Sequence, residues 1–201
     1  LPPPFWVSEP DNKNIPGALG VDWNGYVINP TMVRYQHAVT ALYRAGEWVR
    51  LFSHPGRPLL VEIGAGFGGL THHLHRIAGG KAINLIIDLP ETLLLSIPYL
   101  ALHNPDARFC IYDEDFDIGE IDEFDFVFVP HFALGALEPV RDIFAAINVT
   151  SFDEMREGQI RPYLEFLAPR LTGFLYSDNA DRHPYNDHLG SLHEVMADYF
   201  A

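Results

Sequence analysis

The sequence predicts an α/β fold in which a mostly parallel sheet is covered by helices on both faces. Short apolar runs, typical of strands that are buried on both sides, alternate with segments of helical periodicity. A glycine-rich turn, Gly64–Gly69, joins the first of these runs to the helix that follows it. The chain has 201 residues, of which 48% are hydrophobic. This is enough for one domain with a substantial core.

The predicted elements follow one another in a regular order after a start that is rich in proline and glycine. We expect residues 1–31 to form an extended arm that packs on the domain, because their prolines and glycines prevent a regular helix. A helix should follow, with Thr31 as its N-cap and with a break at Gly46. Strands and helices then alternate. The predicted strands are 59–63, 82–87, 124–129, 142–147 and 173–176, and the predicted helices are 69–78, 90–103, 154–167 and 189–200.

Two polar clusters resemble metal sites in their spacing, and we expect no metal at either. The acidic run within 109–121 is typical of a solvated loop, here after a short edge strand. The three histidines of the helix 69–78 lie beside its apolar stripe of Leu70, Leu74 and Ile77. We expect these histidines to be solvated or to border a cofactor. The clusters comprise Asp113, Glu114, Asp115 and Asp117, and His72, His73 and His75.

The chain is strongly acidic, with 13 basic and 27 acidic residues and a formal net charge of −14. Such a surface repels nucleic-acid backbones and anionic membranes, so we expect neither as a partner. The longest apolar stretch, 93–102, is too short to span a bilayer. The single cysteine, Cys110, excludes an internal disulfide and fits a reducing cytoplasm. The sequence leaves open whether the protein forms a homo-oligomer.

The glycine-rich turn directly follows a strand and opens a helix, as a cofactor loop does. Glycine allows tight turns and lets a ligand approach the backbone, and cofactors bind where parallel strands end. The spacing fits two classes of cofactor. Gly64-x-Gly66-x-x-Gly69 matches the dinucleotide fingerprint, and Glu62-x-Gly64-x-Gly66-x-Gly68 matches the pattern of S-adenosylmethionine-dependent methyltransferases.

Two acidic residues favour S-adenosylmethionine. A carboxylate at the end of an apolar strand, such as Glu62, is costly without a partner. The cationic amino and sulfonium groups of S-adenosylmethionine would supply that partner, whereas a dinucleotide pyrophosphate would be repelled. Asp88 ends the second strand and could accept hydrogen bonds from both ribose hydroxyls of either cofactor. Its alternative role is an N-cap of the helix that begins at Pro90.

Four segments together resemble the sugar O-methyltransferases, a branch of the class I S-adenosylmethionine-dependent methyltransferases. The resemblance covers residues 29–190, in the order expected for that family. The first segment is specific only to the superfamily, and the combination is more selective. The segments are VEIGAGFGGL (61–70), IIDLPETLLLSIPYL (86–100), INVTSFDEM (147–155) and GFLYSDNADR (173–182).

The resemblance implies methyl transfer from S-adenosylmethionine to a hydroxyl of a sugar, a glycan precursor or a related small molecule. It implies that the glycine loop and the acid before it hold the methionine end of the cofactor, and that the acid after the second strand holds the ribose. It also places residues after the third strand near the adenine, and a residue at the end of the fourth strand near the methyl donor. The cofactor-binding residues implied in this way are Glu62, Gly64, Ala65, Gly66, Gly68, Asp88, Leu89, His131, Phe132 and Asn148.

Methyl transfer to oxygen needs an aligned hydroxyl and often a base. The candidates for the base are Glu154 and His183, although the first fits an ordinary helix acid and the second an ordinary surface loop. Tyr35 resembles part of the family's helix before the domain and is a candidate for substrate binding. Arg182 could bind an acidic group of the substrate or pair with a neighbouring aspartate.

We expect two domains, residues 1–55 as an N-terminal arm and helical cap, and residues 56–201 as the S-adenosylmethionine-binding domain. A full class I fold ends with an antiparallel hairpin after the fifth strand, and we expect these last two strands to be missing from this piece of chain. Two other functions stay open. One is an NAD-dependent oxidoreductase, and the other is a non-catalytic methyltransferase-like domain that serves a partner.

Overall fold

The computed structural model describes residues 1–10 and 19–200. Residues 11–18, part of the predicted arm, lie outside the described residues. The described part contains a short hairpin, a six-stranded sheet and α-helices on both faces of that sheet. The strands are β1 (Val21–Trp23), β2 (Tyr26–Ile28), β3 (Leu59–Ile63), β4 (Ile83–Asp88), β5 (Phe109–Ile111), β6 (Phe126–Pro130), β7 (Ile143–Val149) and β8 (Leu171–Asp178), and the helices are α1 (Pro30–Arg44), α2 (Glu47–Ser53), α3 (Gly69–Ala78), α4 (Pro90–His103), α5 (Glu157–Leu167) and α6 (Leu192–Ala197).

The central sheet has the strand order β5-β6-β4-β3-β7-β8, and every neighbouring pair is parallel. From β3 the chain moves outward through β4 to the edge strand β5, places β6 between these two, and then crosses to β7 on the other side of β3. The direction of winding therefore reverses between β3 and β7, which is where open α/β sheets bind their ligands. This order confirms the predicted α/β fold with helices on both faces of the sheet, and its topology is Rossmann-like. Among the described residues no strand follows β8.

Alternate residues of the strands point to opposite faces, and each face has its own core. Val61 of β3 belongs to a cluster with residues of α5 and α6, whereas its neighbour Leu60 belongs to a cluster with residues of α1, α2 and α3. A third cluster joins α4 to β4 and β6. Burial on both faces explains why the central strands are apolar without alternation.

The predicted N-cap of the first helix is wrong by two residues. Asn29 occupies that position, and its side chain accepts a hydrogen bond from the backbone N–H of Met32. Pro30 then fills the first helical position, for which its fixed φ is suited. The predicted break at Gly46 is confirmed, because this residue has φ +79° and separates α1 from α2.

The arm contains a hairpin that the prediction of an extended segment missed. β1 pairs with β2 in antiparallel fashion, and the turn between them is Asn24-Gly25, with both residues at positive φ. This dipeptide is the strongest short signal for a two-residue hairpin turn. The first ten residues pack on the helices, since the Gln36 side chain accepts a hydrogen bond from Val7 N and donates one to Phe5 O.

The boundaries of the last two helices differ from those predicted. The predicted helix 154–167 begins only at Glu157, after a 3₁₀ turn at Phe152–Glu154. The predicted last helix shortens to α6, with Ser191 as its N-cap. β5 confirms the short edge strand that was expected before the acidic loop. Within the described residues, no helix combines the length and apolarity that crossing a membrane requires.

Candidate active site

A cavity of about 650 Å³ lies at the carboxyl ends of β3, β4, β6 and β7, at the point where the winding reverses. Its volume is within the range of pockets that bind cofactors and small molecules. One side is formed by α1, and the other by α5 and the loop that precedes it. The lining residues are Thr31, Arg34, Tyr35, Glu62, Gly64, Ala65, Gly66, Phe67, Asp88, Leu89, Thr92, His131, Leu134, Val149, Thr150, Ser151, Glu154, Met155, Gln159, Pro162 and Tyr163.

The glycine loop forms the floor of this cavity, and two of its glycines are needed for different reasons. Gly64 has φ +71°, and a Cβ there would collide with the side chain of Ser151 from the loop after β7. Gly66 has φ +60°, and a Cβ there would meet no atom within 4 Å. Gly64 therefore allows two loops to pack closely, whereas Gly66 leaves open space in front of the backbone for a ligand.

Glu62 is a buried carboxyl group at the end of β3, with 6% of its surface exposed. Burial raises its pKa to about 7, the hydrogen bond that Thr71 Oγ1 donates to Glu62 Oε2 works against this rise, and the charge of Asp88 adds to it. A cation in the cavity would favour the ionised form. The site therefore holds an acid whose charge depends on its ligand.

Asp88 ends the neighbouring strand β4 and links the glycine loop to the start of α4. Its Oδ2 accepts a hydrogen bond from Gly66 N at 3.0 Å, and its Oδ1 accepts one from Leu89 N at 2.7 Å. Burial raises the pKa of Asp88, and these hydrogen bonds oppose the rise. Leu89 is the N-cap residue of α4, so Asp88 is not the cap itself. Asp88 thus lines the cavity as a buried acid that the backbone of the glycine loop and of the start of α4 holds in place.

A buried amide network holds the loop after β7 against the glycine loop. Asn148 donates from Nδ2 to Ile63 O at 2.8 Å, and its side chain is fully buried. Asn179 Oδ1 accepts hydrogen bonds from Ser151 N at 3.0 Å and Phe152 N at 3.1 Å, and Asn179 Nδ2 donates to Asn148 Oδ1 at 2.8 Å. These bonds fix the loop that carries Glu154 to the cavity.

The structure brings nine of the predicted site residues to the cavity and leaves five outside its lining. Gly68 of the glycine loop packs on α4, and the buried amide of Asn148 takes part in the network just described. Of the other three, one lies in the 3₁₀ helix His131–Leu137 after β6 and two lie in the loop after β8. The nine are Tyr35, Glu62, Gly64, Ala65, Gly66, Asp88, Leu89, His131 and Glu154, and the five are Gly68, Phe132, Asn148, Arg182 and His183.

Physical reasons keep the outlying residues away. A Cβ at Gly68 would lie 2.9 Å from Leu100, so that glycine serves helix packing. Phe132 is 69% exposed and forms no part of the cavity lining. Arg182 lies 3.9 Å from Asp181 with its side chain 74% exposed. His183 Nδ1 accepts a hydrogen bond from Tyr185 N within its own loop.

The cavity also contains residues that the sequence analysis did not single out. Thr31 and Arg34 share a face of α1 with Tyr35, and this i, i+3, i+4 spacing was the available signal. Thr71, which binds Glu62, follows the glycine loop on α3. Six further missed residues come from the loop after β7 and from α5, and four come from the glycine loop, α4, the turn after β6 and the end of β7. The first six are Thr150, Ser151, Met155, Gln159, Pro162 and Tyr163, and the other four are Phe67, Thr92, Leu134 and Val149.

Of the two roles expected for the α3 histidines, solvation is wrong for two of them, and neither of these two lines the cavity. His72 is 7% exposed and His73 is 2% exposed, because α3 is enclosed by α1 and α4 as well as by the sheet. Burial lowers the pKa of His72 to about 4 and that of His73 to about 3. Both ring nitrogens of His73 lack a hydrogen-bond partner among the described residues. No group of three metal-ligating side chains occurs in residues 1–10 and 19–200.

No protein-family model and no curated protein sequence matches the chain. Several solved structures resemble its chain trace, with TM-scores below 0.5 for the three described below. The methyltransferase domain of the bacterial CtHen1-CN has a TM-score of 0.48 at 12% identity, over 73% of this chain and 66% of its own. A variant of LepI, in complex with SAH and a substrate analogue, has a TM-score of 0.45 at 14% identity, over 75% of this chain and 36% of its own.

A third structure, the Sulfolobus solfataricus SWI2/SNF2 ATPase core in complex with dsDNA, has a TM-score of 0.46 at 13% identity, over 80% of this chain and 35% of its own. The chain spans less than two thirds of the length of each of these three structures. Proteins of different activity reach the same level of similarity. These comparisons therefore do not assign an activity to the chain. The residues of the cavity are the basis for a proposal about activity.

Proposed function

We propose that the protein is an S-adenosylmethionine-dependent methyltransferase that acts on a hydroxyl of a small molecule. The observation that carries the proposal is the pair of buried carboxyl groups, Glu62 and Asp88, at the ends of two adjacent central strands. Both lie beside a glycine loop at the point where the winding of the sheet reverses. This combination provides a partner for a cation and acceptors for a diol in one cavity.

The residues of the cavity fit S-adenosylmethionine. The open space at Gly66 admits a ligand against the loop, and Glu62 offers a carboxylate to an ammonium or sulfonium group. Asp88 offers oxygens to the two ribose hydroxyls. A dinucleotide would place its pyrophosphate at the loop, where the charge of an ionised Glu62 would repel it. Bound there, S-adenosylmethionine would supply an electrophilic methyl group.

Glu154 is the proposed base among the described residues. It lies on the cavity wall in the 3₁₀ turn after β7, and its side chain is exposed to the cavity. The Glu154 carboxylate would accept the proton of an acceptor hydroxyl held there as the hydroxyl oxygen takes the methyl group, and the methyl–sulfur bond of the cofactor would break to leave S-adenosylhomocysteine. The proton would then pass to solvent. His183 lies outside the cavity, so we assign it no part in this step.

We base the acceptor class on the family resemblance and on two polar side chains of the cavity wall, those of Gln159 and Tyr163. Gln159 accepts a hydrogen bond from Arg156 N through Oε1, which leaves its amide N–H groups for a ligand. Tyr163 adds a hydroxyl to the same wall. We propose a sugar, a glycan precursor or a related small molecule as the acceptor. We further propose a cytoplasmic enzyme, since the single cysteine fits a reducing compartment.

Calorimetry of the intact chain tests the proposal by comparing S-adenosylhomocysteine with NAD⁺. We expect S-adenosylhomocysteine to bind and NAD⁺ to bind far more weakly. Asp88→Asn should weaken the binding of S-adenosylhomocysteine by ~10-fold or more, since a charged hydrogen-bond acceptor is lost. Asp106→Asn, which changes an exposed acid away from the cavity, is the control. Preference for NAD⁺, or an unchanged affinity in Asp88→Asn, would contradict the proposal.

A further inference from the structure

Arg34 is the one lysine or arginine among the described residues that line the cavity. It faces a cavity with three carboxyl groups, those of Glu62, Asp88 and Glu154. In the described part of the chain Arg34 forms no ion pair. Its hydrogen bond there runs from Nη1 to Thr150 Oγ1 at 3.5 Å, which is long. A guanidinium has five N–H donors, so most of the donors of Arg34 have no partner among the described residues.

The surroundings of Arg34 supply further donors. Thr31 precedes it by three residues on the same face of α1, and both residues line the cavity. Thr150 has φ +48°, a conformation that is strained for a β-branched residue. Its backbone N–H donates to Asp178 O at 2.9 Å, and this bond helps to hold the strained residue beside the guanidinium.

The charge of Arg34 acts within the cavity. Burial raises the pKa of Tyr35, and among the neighbouring charges Arg34 alone opposes the rise. The Tyr35 ring lies on the cavity wall, so the field of the guanidinium reaches the space that a ligand would fill. A negatively charged group would be repelled elsewhere in the cavity by the carboxylates. Near Arg34 it would find a planar set of donors that matches carboxylate and phosphate oxygens.

We propose that Arg34, with the hydroxyls of Thr31 and Thr150, is an anion-binding subsite of this cavity that takes a carboxylate or phosphate group. The inference rests on the proposed function, because that function defines the two molecules that would carry the group. One source is the carboxylate of the methionine part of the cofactor. The other is an acidic group on the acceptor, which would make the enzyme selective for acidic sugars or sugar phosphates.

Calorimetry with two ligands tests the first source. S-adenosylhomocysteine carries the amino-acid carboxylate, and 5′-methylthioadenosine lacks it. If the subsite holds that carboxylate, Arg34→Gln weakens the binding of S-adenosylhomocysteine by ~10- to 100-fold and leaves 5′-methylthioadenosine unchanged. Arg34→Lys keeps the charge but loses the planar set of guanidinium donors, so its affinity for S-adenosylhomocysteine should lie between those of the wild type and Arg34→Gln. Arg44→Gln, an equal change of charge near the other end of α1, is the matched control.

Inorganic phosphate tests the second source. If the subsite serves the acceptor, Arg34→Gln binds S-adenosylhomocysteine as the wild type does, and phosphate binds to the saturated wild type but not to saturated Arg34→Gln. If Arg34→Gln binds both S-adenosylhomocysteine and phosphate with the affinities of the wild type, the subsite is overturned. Failure of the wild type to bind S-adenosylhomocysteine would instead refute the proposed function, and phosphate titration of the ligand-free protein would still test the subsite.

Discussion

Glu62 combines burial with a charge that a ligand would control. Its pKa of about 7 in the absence of a ligand means that the carboxyl group is mostly neutral in mildly acidic solution. A cationic ligand would favour ionisation, so binding below that pKa would release a proton. The affinity of the site for such a ligand is therefore linked to pH through this one residue.

The first prediction concerns this linkage. The affinity for S-adenosylhomocysteine should fall by up to ~10-fold for each pH unit below about 7, since the proton must leave Glu62 first. Calorimetry across this pH range measures the slope. Glu62→Gln should bind more weakly at high pH and should lose the slope. Thr71→Val, which removes the hydrogen bond that favours ionisation, should move the slope to higher pH. An equal slope in Glu62→Gln would refute the assignment.

The contrast between Glu62 and Arg34 shows what the sequence can predict at the scale of a residue. Glu62 and Asp88 stand at fixed distances from the glycine loop along the chain, so a local pattern identified them. Arg34 reaches the same cavity only because α1 packs beside α3. Asn148 shows the opposite case, because its place at a strand end suggested a ligand contact while its amide is used inside the fold.

At the scale of elements, the loops at the ends of β3 and β7 act as one unit. Gly64 is pressed against Ser151, and Gly66 borders open space. A methyl group added at these two positions should therefore have different effects. At Gly64 it should disturb the contact between loops, and at Gly66 it should enter the space that a ligand needs.

The second prediction separates these effects. Gly64→Ala should destabilise the protein by about 2–4 kcal/mol, because the strain of its positive φ adds to a collision with Ser151. Gly66→Ala should cost about 1 kcal/mol in stability but should weaken the binding of S-adenosylhomocysteine by more than Gly64→Ala does. Urea unfolding and calorimetry measure the two quantities. Ser151→Gly should restore part of the stability of Gly64→Ala, and equal losses of stability at the two glycines would contradict this account.

The third prediction concerns Asn179, which organises the loop after β7. Asn179→Ala leaves the backbone N–H of Ser151 without its acceptor and removes one of the two acceptors of Phe152 N, so stability should fall by about 1–3 kcal/mol. If the loop carries the base, kcat should fall more than KM rises. Asn179→Asp keeps the acceptor and should retain more of both quantities. Steady-state kinetics with an identified acceptor and urea unfolding test this, and an unchanged kcat would exclude a positioning role for Asn179.

The sequence predicted the elements better than their ends. The apolar runs of β3 and the periodic helices α3 and α4 were predicted with their observed bounds, since burial on both faces leaves a strong local pattern. The N-cap at Asn29 and the turn at Asn24-Gly25 depend on side-chain hydrogen bonds and positive φ rather than on apolar periodicity. The residue types of both features favour a cap and a turn, but a prediction based on apolar periodicity does not detect them.

At the scale of the whole molecule, the histidines of α3 link folding to pH. His72 and His73 have pKa values of about 4 and about 3 in the folded protein, against an ordinary value of 6.5. Between about 6.5 and 4 the unfolded chain binds protons that the folded chain does not. The free energy of unfolding should therefore decrease as the pH falls through this range. Glu62 acts in the opposite direction, because its folded pKa of about 7 is above its ordinary value of 4.5.

The fourth prediction follows from the opposite effects of these histidines and of Glu62. The urea midpoint should fall as the pH is lowered from about 6.5 to 5, and it should fall more steeply in Glu62→Gln, where the opposing contribution is absent. His73→Phe should flatten the decline, since it removes a titrating group whose nitrogens have no partner in the described part of the chain. His37→Phe, at an exposed position of α1, should leave the decline unchanged. If His73→Phe declined as steeply as the wild type, the buried histidines would not be the source of the acid sensitivity.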